Sequence, residues 1–169
     1  MLRTGGIDLA DPEFIAQSGW TTDELEHAIA EEPPHGPYAL VTLLIGVNNQ
    51  YRGRTVIEFR DHLRALLAHA THAAGHEAAH VIVVSIPDWG VTPFNVSRDA
   101  SQVATAIDAF NAAAEDEAAR AGASWVDITD LGRAEPTAVV EDGLHPNAVM
   151  YARWAERLAG VADAILGQR

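Results

Sequence analysis

Tyr38-Ala39-Leu40-Val41-Thr42-Leu43-Leu44-Ile45-Gly46-Val47-Asn48-Asn49 is the stretch that decides the fold. From Tyr38 to Ile45 it is nearly continuous in apolar residues. An unbroken run such as Val41 to Ile45 does not alternate as a half-exposed strand would; it suits a strand covered on both faces, as in a parallel sheet. Gly46 then permits a tight exit from the strand, and Asn48 stands just beyond its carboxyl end.

Three further runs read as strands: a short one at Phe14 to Gln17, then His80 to Ile86 and Ser124 to Ile128. Four helical patterns alternate with them. Thr21 and Glu24 form a capping box before a helix that Pro33-Pro34 ends. Thr55 and Glu58 repeat the device ahead of Val56, Phe59, Leu63, Leu66 and Ala70, which share one helical face. Val103, Ala106, Ile107, Phe110 and Ala114 do the same, and Gly122 is a natural stop. The last helix is expected to begin near Pro146 and to bury Tyr151, Leu158, Val161 and Ile165. Strand-helix alternation with short connections implies a three-layer α/β/α sandwich on a parallel sheet, read as a single domain over residues 1–169. In such sheets the ligand site lies beyond the carboxyl ends of the strands, at a switch in strand order. Gly19, Asn48 and the Asp88-Trp89 segment all follow strand ends and are expected to face one cleft.

The 169 residues are 48% hydrophobic and 21% charged, ordinary for a globular chain with a real core. The net charge of −13 offers no field to gather phosphates, which argues against nucleic acid and anionic membrane as partners. There is no cysteine, so disulfides, thiolate metal sites and a cysteine nucleophile are excluded. No apolar run approaches the roughly 20 residues of a membrane span. No signal peptide is visible, which favours a cytoplasmic location. His62, His69, His72 and His76 form a stripe off the apolar face of their helix, read as solvated rather than metal-binding.

Chemistry is carried by Asp142-Gly143-Leu144-His145-Pro146-Asn147. An aspartate three residues before a histidine can fix the imidazole tautomer, leaving the other ring nitrogen to take a proton from a nucleophile. The same residues also suit a plain turn in which Asp142 shapes the loop and His145 caps the last helix. Asn48 could donate its side-chain amide to an oxyanion or simply make a strand-end turn. Gly19, in Ser18-Gly19-Trp20, could offer a backbone N–H or serve only a tight connection. Trp89 and Phe94 could wall an acyl or aryl pocket, or pack over the sheet edge.

Taken in order, Ser18-Gly19-Trp20, Gly46-Val47-Asn48-Asn49 and the Asp142–His145 segment resemble the SGNH, or GDSL-type, hydrolases. The resemblance implies a flavodoxin-like fold and hydrolysis of a small-molecule carboxylic ester through a serine acyl-enzyme, with no metal or cofactor. It assigns His145 as general base, Asp142 as its partner, and Gly19 and Asn48 to the oxyanion hole. It makes Asn49, Trp89 and Phe94 possible substrate-lining residues. The family pattern Gly-x-Asn-Asp has Asn49 at its last position here, a departure that leaves the donor in place.

The family's first block, an apolar strand ending in Gly-Asp-Ser, is not in this sequence. Met1-Leu2-Arg3-Thr4-Gly5-Gly6-Ile7-Asp8 resembles a helix tail and the loop before the family's second strand, so the first central strand is expected to be missing. The remaining serines read as structural, Ser18 being the nearest to the expected site. The expectation is a truncated gene product or mis-called start, inactive as written. The alternatives are a non-catalytic remnant or a ligand-binding flavodoxin-like domain, the latter predicting Asp142 and His145 too far apart to bond.

Overall fold

A computed structural model describes residues 9–167. The reading of Met1 to Asp8 as a helix tail and loop lies outside them. The described chain runs α1 (Thr22–Glu31), β1 (Val41–Leu43), α2 (Val47–Tyr51), α3 (Val56–Ala73), β2 (Val81–Val84), α4 (Ala100–Ala121), β3 (Ser124–Val126), α5 (Thr129–Ala134) and α6 (Ala148–Leu166). The three strands are parallel and lie side by side in the order β1-β2-β3. Val41 and Leu43 stand opposite Val81 and Val83, and Ile82 and Val84 opposite Ser124 and Val126. Strand order therefore follows chain order, and the expected switch is not among the described strands.

The central strand explains the layering. Successive side chains of a strand point to opposite faces. Val81 and Val83 meet Phe59, Leu63 and Leu66 of α3 and Ile107 and Phe110 of α4. Ile82 and Val84 meet Val126, Ile128 and, from α6, Met150, Trp154 and Ala162. All four strand residues are at most 4% exposed, so two cores sandwich one sheet. This is the α/β sandwich that the apolar runs imply.

The helices start where their caps direct. Thr21 N–H donates to Glu24 Oε2 at 2.8 Å, closing the capping box of α1. Thr55 Oγ1 accepts from Glu58 N at 3.1 Å before α3. Buried Glu117 of α4 binds Arg60 and Arg64 of α3 at 2.8 Å each, fastening the two helices over the sheet. These guanidinium hydrogen bonds hold the Glu117 carboxyl below its usual range.

Four expectations need correction. Phe14 to Gln17 is not a strand: it has no ladder partner among the described residues, Phe14 is 82% exposed, and only Ile15 packs against the core. A four-residue segment without a ladder has nothing to hold it in a sheet. β1 is covered on one face alone. Leu43 is buried beneath α3, but Thr42 and Leu44 are exposed because α6 packs against β3 and α5 instead. α6 begins at Ala148, two residues after Pro146, because Asn147 is its N-cap, accepting from Val149 N and Met150 N at 3.0 and 3.1 Å. Its buried stripe is Met150, Trp154 and Ala162; Leu158, Val161 and Ile165 are half-buried, and Tyr151 is exposed. Among the described residues no helix is long and apolar enough to cross a membrane.

Candidate active site

A cavity of about 260 Å³ opens beyond the carboxyl ends of the strands. Val47 and Asn48 reach it from the end of β1, Asp88 and Trp89 from the end of β2, and His145 from the loop between α5 and α6. Gly19 lines it too, although it follows a loop rather than a strand. The structure thus brings Gly19, Asn48, Trp89, Phe94 and His145 to one cavity.

The His145 loop is folded on itself by short-range bonds. Val139 and Pro146 form an isolated antiparallel bridge, and Val140 N–H donates to the His145 carbonyl at 2.8 Å. Asp142 Oδ1 accepts from the backbone N–H groups of Leu144 and His145 at 2.8 and 2.9 Å. Its other oxygen, Oδ2, stands 2.5 Å from His145 Nδ1. The imidazole hydrogen bond, followed by the two backbone donors, lowers the Asp142 pKa to about 2. An ionised carboxylate only accepts, so Nδ1 carries the proton of that bond and Nε2 of the neutral ring is left as an acceptor. The pair is open to solvent, with side chains 60% and 47% exposed for His145 and Asp142.

The opposite wall is assembled from distant parts of the chain. Gly46, the N-cap of α2, sits at φ +120°, and a Cβ there would come within 2.5 Å of Phe59 Cε2, so only glycine lets α2 start at this point. One hydrogen of the Asn48 amide goes to the Trp20 carbonyl at 3.0 Å; the Nδ2 group has a second. Gly19, at φ +92°, has its carbonyl held by Arg52 Nη2 at 2.7 Å. Asn49 does not line the cavity. It is fully buried, its Oδ1 accepting from Thr22 N at 3.0 Å and its Nδ2 donating to Thr22 Oγ1 at 2.7 Å. It clamps α2 to the start of α1.

Much of the rest of the lining is apolar. Trp89 is 4% exposed and donates Nε1–H to buried Gln50 Oε1 at 2.6 Å. Its ring meets Tyr51 edge-on at 5.1 Å and Phe94 at 6.4 Å. Phe94 N–H also donates to the Gly143 carbonyl at 3.0 Å, which joins the aromatic wall to the histidine loop. Val139, Met150 and Trp154 come from the other side. Sequence reasoning missed Tyr51, Met150 and Trp154. Tyr51 was the findable one, since it follows Asn48 by three residues on one helical turn.

No serine lines the cavity among the described residues. Ser85 is buried and bonded to Ile128 N and Thr129 Oγ1; Ser101 donates to Asp99; Ser18 is exposed beside Gly19. In the histidine stripe His62 binds Glu26 at 2.7 Å, and His72 meets His76 ring to ring. Among the described residues no group of three or more His, Asp or Glu side chains is placed to hold a metal ion.

Comparison with known proteins fits this architecture. The model of the GDSL-like lipase/acylhydrolase family matches residues 3–153. A lipase/acylhydrolase from Enterococcus faecalis is 21% identical, with a TM-score of 0.63 over 89% of this chain and 72% of that one. A serine-to-alanine mutant of the esterase AlinE4 is 20% identical, with a TM-score of 0.63 over 96% and 80%. Phospholipase A1 from Streptomyces albidoflavus is 16% identical, with a TM-score of 0.53 over 90% and 79%. At these identities the likeness to solved structures is one of fold. No curated protein sequence matches the chain. The family match, spanning nearly the whole chain and both walls of the cavity up to His145 and Trp89, places this protein in the GDSL-like lipase/acylhydrolase family.

Proposed function

We propose that the cavity is the acyl-transfer site of a carboxylic ester hydrolase that works through a serine acyl-enzyme, with His145 as general base and Asp142 as its partner. The observation that carries this reading is the 2.5 Å bond from Asp142 to His145, which lines a cavity shared with Gly19 and Asn48. The rival ligand-binding domain called for those two side chains to be apart.

In this scheme a serine hydroxyl attacks the ester carbonyl carbon while its proton passes to His145 Nε2. The carbonyl π pair moves onto oxygen, where the Gly19 N–H and the second hydrogen of the Asn48 amide receive it. Collapse of the adduct expels the alkoxide, which takes the proton from Nε2. Water then repeats the sequence on the acyl-enzyme and releases the acid. Asp142 holds the ring in the one tautomer that can accept.

The serine is the part that the 169 residues do not place. None of their serines lines the cavity among the described residues, and Thr92, which does, has its hydroxyl bonded to the Trp89 carbonyl at 2.7 Å. The proposal is therefore that this chain alone hydrolyses esters near background. Loss of the nucleophile in a serine hydrolase lowers kcat by about a millionfold. A second reading, a ligand-binding protein built on the same cavity, is favoured by that same lack of a placed hydroxyl.

Hydrolysis of p-nitrophenyl acetate separates the two. The 169-residue chain is expected near the buffer rate, whereas a chain extended at its N-terminus by a strand ending in Gly-Asp-Ser turns over and loses turnover on His145→Ala. Robust hydrolysis by the 169-residue chain, abolished by Ser18→Ala, would make Ser18 the nucleophile. An extended, folded chain without turnover would favour the binding protein.

A further inference from the structure

We infer that the ester this cavity takes is small and electrically neutral, and that the group it buries is flat and apolar, an aryl group above all. The inference rests on the hydrolase reading and narrows it to a substrate class.

Size comes first. About 260 Å³ falls just below the roughly 300–1,000 Å³ of cavities that hold drug-sized ligands. A compact ester fits; a long acyl chain would leave most of its length outside.

The walls set the shape. Tyr51, Trp89 and Phe94 present ring faces and edges from one side, with centroids 5.1 to 6.4 Å apart. Val139, Met150 and Trp154 close the other. Ring separations of that order are those at which aromatic groups pack edge to face, so a further ring continues the cluster.

The polar groups decide what is refused. Asp88 is held by Arg133 Nε at 2.8 Å and the Gly90 N–H at 2.9 Å, and Glu135 is paired with Arg153. The Thr92 hydroxyl is bonded to Trp89. Among the described residues, what is left for a ligand is Gly19, Asn48 and His145, all engaged in the reaction, together with the Tyr51 hydroxyl and the Nε1–H of Trp154, which is buried without a partner. A sugar ring would bring more hydroxyls than those two atoms can satisfy, and an unpaired polar group resists burial.

Charge excludes the remaining classes. Among the described residues no arginine or lysine lines the cavity, the carboxylic acids on its lining are Asp88 and Glu135, and the whole chain carries −13. A phosphate-bearing ester would lose hydration with no cation on that lining to replace it. Aromatic faces attract a cationic ester, but that role is filled already. The Arg98 guanidinium lies 4.5 Å from the Tyr51 ring centre and 5.0 Å from that of Trp89.

The test is binding, which needs no serine. The 169-residue protein is titrated with methyl benzoate, phenyl phosphate, phenyltrimethylammonium and glucose 6-acetate, following the indole N–H resonances of Trp89 and Trp154. Methyl benzoate is expected to saturate both signals with a Kd at least tenfold below that of each other probe. Phe94→Ala, a change at a 40% exposed residue that leaves the cores alone, is expected to weaken it at least fivefold, and Tyr51→Ala similarly. Phenyl phosphate, the cation or the sugar ester binding as tightly as methyl benzoate would overturn the inference. So would methyl benzoate binding that ignores both variants. Neither outcome touches the hydrolase reading, which stands or falls on turnover and its dependence on His145.

Discussion

The two walls of the cavity are built in opposite ways. The Asp142 carboxylate makes its bonds within its own turn: its oxygens contact residues two or three positions on, and the pair with His145 stands in solvent. The Gly19–Asn48 wall has no such autonomy. Asn48 reaches back 28 residues to Trp20, Asn49 reaches 27 to Thr22, and Arg52 reaches 33 to Gly19. A general base has to titrate and move protons, so an exposed turn with its own local frame serves it. An oxyanion donor has to stay put while charge develops, so it is set on a buried, long-range clamp. The difference is one of rigidity assigned by task.

That contrast can be broken in four places. The largest effect is expected at Asn48. In a catalytically competent, serine-bearing version of the chain, Asn48→Ala is expected to lower kcat by about 10²–10³ with KM little changed, as removal of one oxyanion donor does. Equal kcat would put the donor elsewhere. Asn49→Ala comes next and acts on the clamp. It leaves the buried Thr22 N–H and hydroxyl without their partner, and urea unfolding is expected to report a loss of about 2–3 kcal/mol.

Arg52→Ala tests the exposed end of the same wall. Its ion pair with Glu24 is 3.3 Å long between half-exposed groups, so a stability change under about 1 kcal/mol is expected. The smallest effect on the fold belongs to the turn. Asp142→Ala is expected to leave the urea midpoint nearly in place, because nothing buried depends on it.

Asp142 nevertheless carries a distinct pH signature. Its folded pKa is depressed to about 2 from 3.8, so whatever it contributes is fully present above 3.8 and is lost as pH falls through 2. Carboxyl ¹³C shifts should therefore show Asp142 ionised at pH 3, and His145→Ala should raise its midpoint toward the ordinary value. A midpoint near 3.8 in the unaltered chain would mean that the His145 bond does not form in solution.

Legibility in the sequence follows the same division. The strands at β1, β2 and β3 were readable because a buried strand is written as an unbroken apolar run, and the Asp142–His145 geometry because its partners lie three residues apart. Phe14 to Gln17 misled, since a short apolar segment cannot announce whether a ladder partner exists. The α6 stripe misled at Tyr151 for a related reason. Helical period alone does not fix which of several aromatic residues faces the sheet; Met150 and Trp154 do, and with them the far wall of the cavity. Asn49 stands beside the oxyanion candidate in its motif, but its buried attachment to Thr22 depends on where α1 lands, which no local pattern records.

The central claim is that both walls act on a single ester carbonyl. Its most direct test is a titration of the ¹⁵N-labelled 169-residue protein with methyl benzoate, following the Gly19 backbone amide, the Asn48 side-chain amide and the His145 ring nitrogens together. The account predicts that all three move along one saturation curve with a common Kd. Gly19 and Asn48 responding while His145 stays still, or the reverse, would contradict it.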